Sequence, residues 1–243
     1  MSPGIQSTLR SNSSQQSFFE DGVQLARPLP EEFIEKLNLN LAMHRFFSFP
    51  LDFHLKHPFD LLHTMAELGL FYQNNVIRCK FCALNLSLGE IPKQFGKSHP
   101  NSEKLNCKIG AVDSMNLPME NITTVSNYKS EAHRLYSLLK KNNWQHVTPF
   151  DLAREGFFYS GKGDTVICVF CNVEVGDWEA GDTPENEHRT CNSECPFLNS
   201  KESVANVEIG NEQTALEHDA LGKLKTGTTT FDPDTTDEPE EPR

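Results

Sequence analysis

The chain has 243 residues, 37% of them hydrophobic, and a formal net charge of −12 at pH 7. So low an apolar content argues against one large core and for small domains that need an additional staple. The charge argues against the phosphate backbone of nucleic acid as main partner, because such binding takes clustered Lys and Arg, and points to a protein partner.

Seven cysteines are an odd number for a disulfide framework, and no apolar run near the N-terminus has the length of a signal peptide or membrane span. A reducing, cytoplasmic setting is expected, with the nucleus as an alternative and no membrane association.

Residues 1–29, rich in Ser, Gln, Asn and Pro, are expected to be unfolded. Beyond them lies an internal repeat. NVIRCKFCALNLSLGE (75–90) aligns with DTVICVFCNVEVGDWE (164–179), and LGLFYQ (68–73) with EGFFYS (155–160). Arg45 and Arg134 each lie 34 positions before the first cysteine of their copy. The chain therefore reads as a first module at 30–108, a linker at 109–125 marked by Gly, Pro and Asn, and a second module at 126–199. Residues 200–243 read as an acidic, disordered tail; from Lys201 onward there are eleven acids against four bases.

Each module begins with a helix, EEFIEKLNLNLAMHRFF in the first and SEAHRLYSLLKKN in the second, with Leu135, Leu138 and Leu139 at helical spacing. A short helix ending in glycine follows, PFDLARE stopping at Gly156 in the second copy. Two strands flank the Cys-x-x-Cys turn, with Val166, Val173 and Val175 as the β-branched residues. Thr183 as N-cap and Pro184 at the first helical position then start a helix that carries His188.

Cys168, Cys171, His188 and Cys195 have the spacing Cys-x2-Cys-x16-His-x6-Cys. Three thiolates and an imidazole suit tetrahedral Zn2+, and four protein ligands leave no open position, so the site is structural. A redox pair is the alternative for a Cys-x-x-Cys alone, but would need no His and Cys at matching distances. The first module repeats the set as Cys79, Cys82, His99 and Cys107, with a last gap of seven residues. Pro100 disfavours helical backbone at His99, so the ligand helix is expected to be distorted there. Cys191 has Ser102 as its counterpart and is left as a free thiol.

These residues carry a resemblance. Both modules resemble the baculoviral IAP repeat (BIR), the zinc domain of inhibitor-of-apoptosis (IAP) proteins. The second matches from Arg134 through TPFDLAREGFFYSGKGDTVICVFC and WEAGDTPENEH to Cys195-Pro196-Phe197. The first is a divergent copy, sharing Arg45, Gly69, Phe71, Tyr72 and the four ligands. The resemblance implies an α+β fold, in each module a three-stranded antiparallel sheet with short helices around one zinc ion, two ions in all.

It also implies peptide binding in the second module. A partner that begins with alanine would add a strand beside Val175, Gly176 and Asp177, set its ammonium against Asp182 and Glu187 and pack its methyl on Trp178. In the first module the corresponding positions are Gly89 and Lys93, so that groove is not expected to take an alanine N-terminus. Where family members often carry an aromatic at the third peptide subsite, this chain has Cys191. The expected function is an apoptosis inhibitor whose partners are caspases or alanine-starting pro-apoptotic proteins. The alternative is a scaffold in a cell-division or signalling complex. No cysteine follows Cys195, so no RING domain, ubiquitin transfer or other enzymatic activity is expected.

Overall fold

The computed structural model describes residues 31–119, 128–141 and 143–212, together with Phe19–Glu20 and Val23–Gln24. These last two pairs form a small antiparallel hairpin (β1, β2) in the segment expected to be unfolded. The intervening Asp21-Gly22 is a strong hairpin signal in the sequence.

The first module opens with two helices where the sequence suggests one, α1 (Glu31–Glu35) and α2 (Ala42–Phe47). Two asparagines explain the break. The Asn38 carboxamide accepts from the backbone of Asn40 at 3.1 Å, and its own N–H donates to His44 Nδ1 at 2.9 Å. Such local bonds compete with helical ones. Helices α3 (Leu51–Lys56) and α4 (Phe59–Glu67) follow, the first of them not anticipated. Strands β3 (Leu70–Gln73), β4 (Val76–Cys79) and β5 (Asn85–Ser87) then make an antiparallel meander.

The second module repeats this plan with α5 (Glu131–Leu139), α6 (Pro149–Arg154) and the meander β6 (Phe157–Tyr159), β7 (Val166–Cys168) and β8 (Glu174–Val175). Gly69 and Gly156 join helix to sheet with φ of +83° and +88°, the left-handed conformation that favours glycine. Helix α7 (Pro184–Cys191) is capped by the Thr183 hydroxyl, which accepts from Asn186 N–H, and α8 (Pro196–Asn199) follows. The first module has turns in place of α7, as Pro100 requires.

A buried arginine fastens each module. Arg134 donates from Nε to Ala153 O, from Nη1 to Tyr128 O and Lys129 O, and from Nη2 to the Asn206 side chain, at 2.8 to 3.0 Å. Arg45 makes the same four bonds, to Ala66, Leu39, Asn40 and Asn116. Burial pushes both guanidinium groups down to about 10, so both stay charged at neutral pH.

These bonds extend each module beyond its expected boundary. Asn116 and the Leu117–Leu41 bridge bind part of the expected linker to the first module. Residues 200–212, expected in the tail, pack on the second: Val207 bridges Ser130, and Ile209 is 4% exposed. The remaining tail, 213–243, and residues 120–127 of the linker region lie outside the described residues.

The modules share one apolar core. Tyr136 of α5 lies 5.5 Å from Phe46 and 5.2 Å from Phe59, and Phe33 of α1 meets Phe150 of α6 edge-on at 5.0 Å. Glu212 reaches His44 at 2.9 Å. Among the described residues no helix is long and apolar enough to cross a membrane.

His54 is buried beside Phe46, and neither ring nitrogen makes a hydrogen bond of normal geometry. Burial pushes its pKa down to about 4, only partly opposed by the nearby backbone and by Asp52. A histidine that is neutral in the fold takes up a proton on unfolding, so its contribution to stability is lost as the pH falls from about 6.5 towards 4. At pH 5 that loss is about 2 kcal/mol. His54→Leu is expected to flatten stability between pH 7 and 5 relative to the parent in zinc-supplemented urea titrations. Equal slopes for the two proteins would contradict this.

Candidate zinc centres and peptide groove

Each Cys-x-x-Cys pair sits on the knuckle between the second and third strands of its sheet, and the remaining two ligands come from the segment behind it. In the second module the ligand atoms of Cys168, Cys171, His188 and Cys195 all lie within 4.8 Å of one another. Cys168 and Cys195 are 4.0 Å apart at sulfur, and His188 Nε2 is 3.4 Å from Cys171 Sγ. Four ligands about 2.3 Å from a tetrahedral zinc ion stand roughly 3.7 Å from each other, which these spacings approach.

Cys79, Cys82, His99 and Cys107 form the equivalent cluster, with His99 Nε2 at 3.1 Å from Cys107 and 3.5 Å from Cys82. His99 Nδ1 lies 2.9 Å from Pro100 O; with the proton placed there to donate, Nε2 is left bare toward the sulfurs. The extra residue before Cys107 accommodates the non-helical backbone of this copy. Burial pushes the Cys79 and Cys168 thiols well up, so the protein alone does not hold them as thiolates. A dication would supply that charge. Both Cys3His sites are suited to zinc in number, type and spacing of ligands. Cys191 is exposed at the end of α7 and outside the cluster.

The groove residues lie along β8 and the turn after it. Among the described residues β8 pairs only with β7, so its outer edge is open. Cys168 N–H bonds Val173 O, and alternation along an antiparallel pair then turns the backbone of Glu174 and Gly176 outward. In the first module Cys79 N–H bonds Leu84 O, and the outward residues are Asn85 and Ser87. There β5 is likewise a terminal strand, but one of its outward donors is taken up within the module: Ser87 N–H donates to the Glu90 carboxylate at 2.8 Å.

Trp178 is 6% exposed and meets Phe157 edge-on, so most of the indole belongs to the core. Asp182 accepts from Glu179 N–H at 2.7 Å through one oxygen, and Glu187 is half-buried on α7. The sequence reading missed Asp164, whose carboxylate accepts from Asp177 and Trp178 N–H, and Asn116 and Asn206, which receive the buried arginines. The Asn-Leu and Asn-Val pairs after the last cysteine of each copy were the available signal.

A family model described as the Inhibitor of Apoptosis domain (BIR) matches residues 134–199. Residues 134–199 are a BIR domain. Baculoviral IAP repeat-containing protein 1 of Homo sapiens is 31% identical over 159 residues, 59% of this chain and 11% of the relative. E3 ubiquitin-protein ligase IAP-3 of Orgyia pseudotsugata multicapsid polyhedrosis virus is 40% identical over 75 residues, 30% of this chain and 27% of the relative. The chain thus spans only a minor part of either protein's length. A crystal structure of an autoinhibited dIAP1 BIR1 domain aligns with 37% of this chain and 91% of its own at 32% identity. Its TM-score of 0.32 is too low to carry structural detail from one chain to the other. Arg134, the four metal ligands and the groove residues from Val175 to Glu187 all fall within the BIR domain.

Proposed function

We propose that the chain is an apoptosis inhibitor of two BIR repeats that acts in the cytoplasm by binding, without catalysis. Its second repeat captures caspases or alanine-starting pro-apoptotic proteins through its groove. The open outer edge of β8, with Asp182 and Glu187 beyond it, is the observation that carries this reading. An extended peptide finds backbone donors and acceptors there, and an ammonium finds carboxylates. The largely buried Trp178 offers little surface, which suits a side chain no larger than a methyl group.

The first repeat contrasts at each of these points. Its edge donor on Ser87 is occupied by Glu90, and it has Gly89 and Lys93 where the second has Trp178 and Asp182. Its part in this reading is to support the second repeat through the shared core.

Asp182→Asn combined with Glu187→Gln removes the charge and keeps the shape. The double variant is expected to bind a peptide with alanine first and proline third more weakly by about 1–3 kcal/mol in calorimetric titration, with zinc content unchanged. Binding equal to the parent's would show that these carboxylates do not meet the ammonium.

A further inference from the structure

We propose that Asp164 is a positioning residue for the peptide groove, holding Trp178 and the turn after β8 in the binding geometry; this rests on the function proposed above. Asp164 Oδ1 accepts from Asp177 N–H and Oδ2 from Trp178 N–H, each at 3.1 Å, and Asp164 O accepts from the indole N–H of Trp178 at 3.0 Å. One residue thus fixes the tryptophan at both ends, backbone and ring.

The same residue braces the strand edge. Asp177 has a φ of +56°, unusual for a residue with a side chain, and its N–H is anchored at that turn by Asp164. A Cβ on Gly176 would meet Thr165 Oγ1 at 3.0 Å and Asp164 Oδ1 at 3.4 Å. Asp164 and Thr165 therefore lie directly against the residue whose backbone faces outward for strand addition. Burial opposes the charged form of Asp164, but donation from Asp177 and Trp178 outweighs it, and the carboxyl is held below its usual range.

The first module separates a groove role from a folding role. The position matching Asp164 is Asn75, which accepts from the Tyr72 hydroxyl at 2.6 Å. The position matching Trp178 is Gly89, where a Cβ would meet nothing within 4 Å. That module forms the same three-stranded meander without the three-bond arrangement, so the sheet does not require it. What the first module lacks is the tryptophan wall that Asp164 holds in place in the second, and its own outward Ser87 N–H is taken up by Glu90.

The test uses the full zinc-loaded chain, Asp164→Ala and Asp164→Asn, and a tetrapeptide with a free N-terminal alanine and proline at the third position. Asp164→Ala is expected to raise the dissociation constant on the order of tenfold or more, and Asp164→Asn, which keeps one acceptor, to raise it less. Zinc content should stay at the parent's value, and the Asp177 and Trp178 amides should lose protection from hydrogen exchange. Affinity within about twofold of the parent, retained amide protection, or zinc loss in both variants would each overturn the proposal. A parent chain that ignores the peptide would contradict the function proposed above instead, and the amide readout would then decide the positioning role by itself.

Discussion

Chelation of metal from this chain is expected to unfold the BIR domain, and metal analysis of the purified protein is expected to give two zinc ions per chain. A small domain of this kind has a net stability of about 5–15 kcal/mol, while a structural zinc site contributes roughly 10–16 kcal/mol of binding free energy. Removing the ion therefore takes away an amount comparable to the whole stability. The ligands would also be left as buried thiols and an imidazole without the metal bonds that tie them together, since Cys168 and Cys195 are fully buried with His188. Circular dichroism during titration with a chelator should show loss of structure in step with zinc release. One ion per chain would leave the His99 cluster as a vestige held by packing, and none would remove the basis of the zinc reading.

Arg134→Ala is expected to cost about 3–5 kcal/mol, a large effect for a single substitution outside the metal ligands. The side chain is fully buried and is the donor to four oxygens from three separate stretches of chain. Its loss would leave Ala153 O, Tyr128 O, Lys129 O and the Asn206 carboxamide without this partner, and would empty the space beside Phe170 and Phe197. Arg134→Lys is expected to recover little of this, because one ammonium on a flexible stem does not reproduce the planar fork. Urea denaturation with excess zinc measures both variants, and a cost below about 1 kcal/mol for Arg134→Ala would contradict the role assigned to it.

The Asn206 contact also explains what the sequence did not disclose. Residues 200–212 look like the start of an acidic tail because composition is local, whereas the bonds that order them join positions about seventy residues apart. Ile209 and Val207 are too few to signal a core, yet they pack because Glu131 N–H bonds Val207 O at 2.8 Å and Ile209 N–H bonds the Glu131 carboxylate at 3.1 Å. The shared core was likewise hidden, since Phe46, Phe59 and Tyr136 each read as part of their own module. By contrast the eight metal ligands were legible at once. A tetrahedral site needs four such side chains, and the internal repeat states the Cys-x2-Cys-x16-His part of their spacing twice. Asp164 falls between these cases. Its place before Val166 in the repeat was visible, but its work on Trp178 across fourteen positions was not.

Comparison of one peptide in two chemical forms tests the central claim most directly. A tetrapeptide beginning with alanine and its N-acetylated counterpart differ only in the charge that Asp182 and Glu187 are held to meet. Calorimetric titration of the zinc-loaded chain should give binding for the free amine and a loss of roughly tenfold or more for the acetylated form. Equal affinity for the two, with zinc at full occupancy, would show that the BIR domain does not read a free N-terminus.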